Sequence, residues 1–118
     1  MTEGTKSVGK TTIAPEVLLT IIRLTTLDVD GVDRFAPVPG KVDAFLKRGI
    51  EEGIHINVEN GIVYADLHII IKEGFHVREV SREVQSHVAR AILEMVGMEP
   101  GKINIHVEDI NYKFHPEN

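Results

Sequence analysis

Three histidines and two carboxylates sit at alternating positions in stretches of otherwise aliphatic residues: His55, Asp66, His68, His106 and Glu108. Imidazole nitrogens and carboxylate oxygens on neighbouring strands are ligands for zinc and other divalent ions. They also form cross-strand polar pairs. The spacings match no metal-ligand signature, so the reading carried forward is a polar sheet surface that faces solvent or a partner. Asn57 and Tyr64 fall on the same side of the same pattern. The candidate interaction surface is therefore His55, Asn57, Tyr64, Asp66, His68, His106 and Glu108.

A second chemical signal lies near the start. Gly4-Thr5-Lys6-Ser7-Val8-Gly9-Lys10-Thr11 fits the phosphate-loop pattern letter for letter. That chemistry needs a strand before the loop and a helix directly after it, so that backbone N–H groups and the helix dipole cradle phosphate. Only three residues precede Gly4, Thr11 to Ile13 reads as extended, and Pro15 delays the helix past Lys10-Thr11. The context argues for a chance match. Ser7, Ser81 and Ser86 have no evident base and orienting partner. Glu79, Glu83 and Glu94 read as a solvated helix face. The sequence thus points to no catalytic residue, no cofactor site and no metal site.

Composition narrows the classes. The 118 residues carry a net charge of -5, with 42% hydrophobic residues and no cysteine. The acidic balance argues against a nucleic-acid binder, which needs a basic face. No G-x-x-G loop lies at the spacing that clamps RNA, and Arg78, Arg82 and Arg90 alternate with glutamates. The absence of cysteine excludes disulfides and thiolate metal sites and fits a reducing cytoplasm. The first ten residues lack the apolar run of a signal peptide. Apolar stretches such as Leu67 to Ile71 are too short to span a bilayer.

The elements that would position the polar surface can be read from periodicity. Residues 1–7 read as a flexible polar start, and Val8 to Ile13 as a first strand on a sheet edge. Pro15 suits a first helical position, and Glu16 suits the first turn. Val17, Leu18, Ile21, Ile22 and Thr25 define the expected buried face of that helix, which ends near Leu27 or Asp28. Val32 to Phe35 reads as a strand. Val42, Phe45 and Leu46 have the spacing of a short helix closing near Gly49.

Asn60-Gly61 is the preferred pair for a two-residue type I′ hairpin. That loop sets Val58 opposite Val63, Ile56 opposite Ala65 and Ile54 opposite Leu67, all apolar. It sets Asn57 opposite Tyr64 and His55 opposite Asp66 on the other face, so pattern and turn agree. Val77, Val80, Val84, Val88, Ala91, Ile92 and Met95 form a helical stripe that Gly97 closes. Ile103, Ile105 and Val107 alternate with Asn104, His106 and Glu108 as a one-sided strand. The expected fold is α+β: a single mostly antiparallel sheet with two main helices packed on one face. Helix, glycine, apolar residue and strand follow one another twice, around Gly31 and around Gly97.

Thr12-Ile13-Ala14-Pro15-Glu16-Val17-Leu18, the later Val29-Asp30-Gly31-Val32, Gly53-Ile54-His55-Ile56, the string VYADLHIII from Val63, VSREVQSHV from Val80 and the strand INIHVEDI follow in an order that resembles the alkaline shock protein family, the envelope stress response proteins of bacteria. The resemblance covers Val8 to Ile110 and implies one such domain over 8–111, with a C-terminal tail over 112–118. It implies a non-enzymatic, cytoplasmic scaffold without cofactor. The implied partners are proteins, among them an integral membrane anchor that recruits the chain to the inner membrane without direct insertion, and further copies of the chain. An RNA- or nucleotide-associated regulator is the alternative function. Glu73-Gly74-Phe75-His76 and the stretch from Ala36 to Gly49 depart from the family pattern.

Overall fold

The computed structural model describes residues 12–37 and 50–112. Pro15 opens helix α1 (Pro15–Leu27), with Ala14 extended before it and Glu16 in its first turn. The Asp28 N–H donates to the Leu24 and Thr25 carbonyls and ends the helix. Strand β1 (Val32–Phe35) follows, then β2 (Ile50–Glu51), β3 (Ile54–Glu59) and β4 (Ile62–Lys72). Helix α2 (Val77–Ala91) leads through a π-helical turn (Ile92–Val96) into β5 (Glu99–Asn111).

The hairpin forms in the expected register. Asn60 and Gly61 both take positive φ, +54° and +77°, as a type I′ turn requires. Val58 then pairs with Val63, Ile56 with Ala65 and Ile54 with Leu67. Strand β4 is the centre of the sheet. One edge pairs antiparallel with β3 over Ile62 to Leu67 and with β1 over Ile69 to Ile71. The other edge pairs with β5 along its whole length. Three strand pairings are antiparallel, and the longest, β4 with β5, is parallel. Strand β5 runs well beyond the expected Ile103–Val107. Bulges after Pro100 and after Val107 break its alternation, which hid the extra length.

Val63, Ala65, Leu67, Ile69 and Ile71 project from one face of β4 and are buried under both helices. The α+β architecture is thus a one-sided sheet covered by α1 and α2. Their burial supplies the apolar contact that offsets chain ordering, roughly 1.5–3 kcal/mol per aliphatic side chain.

Two expectations for the helices need correction. The buried face of α1 is Leu18, Leu19, Ile22 and Thr26, whereas Val17 is 47% exposed. Apolar residues surround α1 on both sides, so periodicity alone could not choose which side turns inward. In α2 the stripe Val80, Val84, Val88 and Ala91 is buried with Ile92, but Val77 and Met95 are exposed. The wider π-helical turn shifts the phase, so Met95 swings outward and Val96 packs against the core instead. Thr12 and Ile13 carry no strand, and the rest of the expected first strand lies outside the described residues. So do the expected helix at Val42 to Leu46 and the phosphate-loop match.

Gly31 lets the two helices and the sheet meet. It holds φ +97°, and a Cβ there would lie 2.7 Å from Val80 Cγ2 and 2.8 Å from Phe75 Cδ1. Gly31→Ala therefore combines backbone strain with overpacking, and denaturant unfolding should show a loss of about 2–4 kcal/mol. Thr26 is fully buried, and its hydroxyl has no hydrogen-bond partner among the described residues. Thr26→Val keeps the shape and removes the orphan hydroxyl, so the same measurement should show a gain of about 1 kcal/mol.

Candidate interaction face

Alternation along β4 sends Tyr64, Asp66 and His68 to the face opposite the core. The hairpin register places His55 beside Asp66 and Asn57 beside Tyr64. The parallel pairing of β5 places Asn104 beside Asp66 and His106 beside His68. All seven candidate residues therefore share one sheet face, which no described helix covers.

Five side chains of this face interlock. His106 Nε2 lies 3.0 Å from Asp66 Oδ1, and Asn104 Nδ2 donates to the same oxygen at 3.1 Å. His68 Nδ1 lies 2.7 Å from Glu108 Oε2. The His68 and His106 rings stack, with centroids 4.4 Å apart and planes 13° from parallel. A carboxylate accepts, so the imidazole N–H donates in each pair. Each ring is thereby held by a carboxylate and by its neighbour's face. The bulge after Val107 supplies the extra residue that lets Glu108 turn back to His68.

His106 holds the Asp66 carboxyl below its ordinary value of 3.8 by hydrogen bonding; partial burial opposes this, and the Asn104 bond and the charges of His106 and His55 add to it. His55 contributes through charge, and Asn57 with Tyr64 forms the next cross-strand pair toward the hairpin turn. Among the described residues no three His, Asp or Glu side chains converge to hold a metal ion. Asn104 alternates onto the polar face of β5 and joins the seven candidate residues there. The parallel pairing that sets it on Asp66 carries no local sequence signal.

A groove among the described residues lies elsewhere. It encloses about 670 Å³ between the start of α1, β3 and the end of the π-helical turn, lined by Ile13, Leu18, Ile56, Val58, Val96 and Met98 among others. Its described lining carries no carboxylate, imidazole or amine. The stacked histidines and their carboxylates thus lie outside this groove, and of the seven candidate residues only Asn57 borders it.

A depressed carboxyl contributes stability above its ordinary value and loses it as pH falls through the folded value. Asp66 should therefore contribute to acid sensitivity as pH falls below its ordinary value of 3.8. Because its side chain is 40% exposed, the effect is screened and modest. Asp66→Asn keeps an acceptor for Asn104 and His106, and should flatten the fall of the melting temperature with pH in that range.

Comparison with known proteins gives the chain its place. A model of the alkaline shock protein family, described by its cell envelope-related function, matches residues 3–112. An uncharacterised protein Spy1535 of Streptococcus pyogenes serotype M6 is 32% identical over 107 residues, covering 90% of this chain and 82% of that protein. An uncharacterised protein YqhY of Bacillus subtilis is 27% identical over 106 residues, covering 88% of this chain and 78% of that protein. Among solved structures, a variant of the MamM CTD aligns with a TM-score of 0.56 at 18% identity, over 80% of this chain and 95% of that one. At that identity the likeness concerns the fold alone. The near full-length family match agrees with the order of motifs from Thr12 to Ile110, and the chain belongs to this cell envelope-related family, the alkaline shock proteins.

Proposed function

We propose that this protein is a non-enzymatic interaction module of the cell envelope whose open sheet face docks a protein partner. The observation that carries the reading is the polar sheet face that no described element covers. It presents His68 and His106 stacked and tethered to Glu108 and Asp66, so the polar groups are ordered before any partner arrives. Preorganised side chains lose less entropy on binding than free ones. The separation of the titratable cluster from the apolar groove favours docking over catalysis, because chemistry needs both in one place. Membership of a cell envelope-related family supports the setting. No described helix is long and apolar enough to cross a membrane. In this reading the chain is cytoplasmic and an integral membrane protein brings it to the inner membrane.

The test is affinity capture from detergent-solubilised cells of the native host, with the wild-type chain and with His68→Ala and His106→Ala. The expected result is one recurring integral membrane protein, depleted roughly tenfold by either substitution, as for loss of an interface anchor. Capture of only soluble enzymes or RNA would overturn the membrane-recruited reading. A membrane partner retained equally by both variants would move the interface off this face.

A further inference from the structure

The interlocked side chains of the sheet face fix more than the positions of two rings. A neutral imidazole has one N–H and one bare nitrogen, and the bond made by one decides the other. His68 donates from Nδ1 to Glu108, and His106 donates from Nε2 to Asp66. The neutral rings are therefore opposite tautomers, with bare nitrogens at Nε2 of His68 and Nδ1 of His106. Each carboxylate uses one oxygen in these bonds, Oδ1 of Asp66 and Oε2 of Glu108. Among the described residues no hydrogen bond uses Oδ2 of Asp66, Oε1 of Glu108 or either bare nitrogen.

The face thus offers acceptors and negative charge. The described partners of Asp66 and Glu108 are two imidazoles and an amide, with no lysine or arginine among them. Hydrogen bonding from His106 favours the ionised form of Asp66, and the whole chain carries a net charge of -5. The side chains of His106, Asp66 and Glu108 are each more than a third exposed, within reach of a second protein. Among the described residues the ligating side chains do not converge on one point, so a compact metal ion is a poor fit. A guanidinium suits the spread. It is planar, carries five N–H donors in a fixed fork, bonds a carboxylate through two of them and stacks on aromatic rings.

We infer that this face takes a basic, arginine-bearing segment of a protein partner, whose guanidinium groups bond the free oxygens of Asp66 and Glu108 and donate to the bare nitrogens of His68 and His106. The inference rests on the docking reading above and names the chemistry of the occupant. Charge complementarity selects it. An acceptor-rich face with two carboxylates repels an acidic segment and gives an uncharged one no ion pair. The same charges repel an anionic membrane surface, so the occupant is a protein segment and not lipid. Lysine meets the charge but lacks the fork that spans neighbouring acceptors, so arginine is favoured. The cytoplasmic flanks of integral membrane proteins carry an excess of lysine and arginine, which is the chemistry this face accepts.

Nuclear magnetic resonance of the full chain with isotope-labelled histidine tests this. The nitrogen shifts of the neutral rings should place the N–H on Nδ1 in His68 and on Nε2 in His106. The same tautomer in both rings overturns the acceptor pattern. The probe is a synthetic peptide of alternating arginine and serine, which should shift both imidazoles. Its affinity should fall roughly tenfold when citrulline, uncharged and of similar shape, replaces arginine. The double variant Asp66→Asn, Glu108→Gln keeps an acceptor for each ring and should lose affinity by a similar factor, with circular dichroism reporting its fold. If that variant does not fold, the citrulline comparison decides alone. An arginine peptide that shifts neither ring, a citrulline or glutamate peptide that binds as tightly, or unchanged affinity in the folded double variant overturns the basic partner. If it is overturned while His68→Ala and His106→Ala still deplete a captured membrane protein, the docking face stands with a partner of other chemistry. If capture is also indifferent to both substitutions, the docking reading falls with it.

Discussion

The position of β4 between β5 on one edge and β3 with β1 on the other is the constraint on which the structure rests. Five aliphatic side chains from this strand fill the core, and both helices pack on them. His68 marks the junction of the shared edge. Its N–H donates to the Gly53 carbonyl at 2.8 Å, and its carbonyl accepts from the Ala36 N–H at 2.9 Å. The backbone of β4 therefore has partners even where one neighbouring strand gives way to the next. A slip of one residue would turn Leu67 and Ile69 to the open face and bury Asp66 and His68 without partners, a cost of several kcal/mol for each buried charge.

The polar face follows from the same constraint. Once alternate residues of β4 are committed to the core, Asp66 and His68 must project the other way. The chain then satisfies them from β5, with Asn104 and His106 on Asp66 and Glu108 on His68. These groups are partly exposed, so each pair adds little to stability. Their physical consequence is order: two stacked rings held by two carboxylates form a defined pattern of donors and acceptors on a surface that neither helix covers.

The remaining apolar surface is distributed unevenly. Helix α1 keeps Val17, Leu24 and Leu27 exposed, and Leu93 and Met95 stand out from the π-helical turn. The exposed apolar residues therefore lie on the helical side and around the groove beside β3, and the stacked histidines with their carboxylates lie on the sheet side. Exposed aliphatic residues and an ordered polar cluster thus occupy different faces among the described residues.

Much of this was legible without coordinates. The Asn60-Gly61 turn and the flanking alternation determined the β3–β4 register and hence which residues of the hairpin face the core. Pro15 and Gly97 marked where a helix begins and where one ends. Those signals are local, because turn geometry and side-chain period act over a few residues. Three features were not legible. The side of α1 that turns inward depends on where α2 and the sheet lie, since aliphatic residues surround that helix. The exposure of Met95 depends on a π-helical turn that no residue type announces. The parallel pairing of β5 with β4, which stacks His106 on His68 and sets Asn104 on Asp66, joins positions about forty residues apart. The sequence by itself determined the faces of the individual strands, because the alternation of side chains is a property of the backbone. The tertiary structure alone decided which strands became neighbours, because that choice minimises exposed apolar area over the whole chain at once.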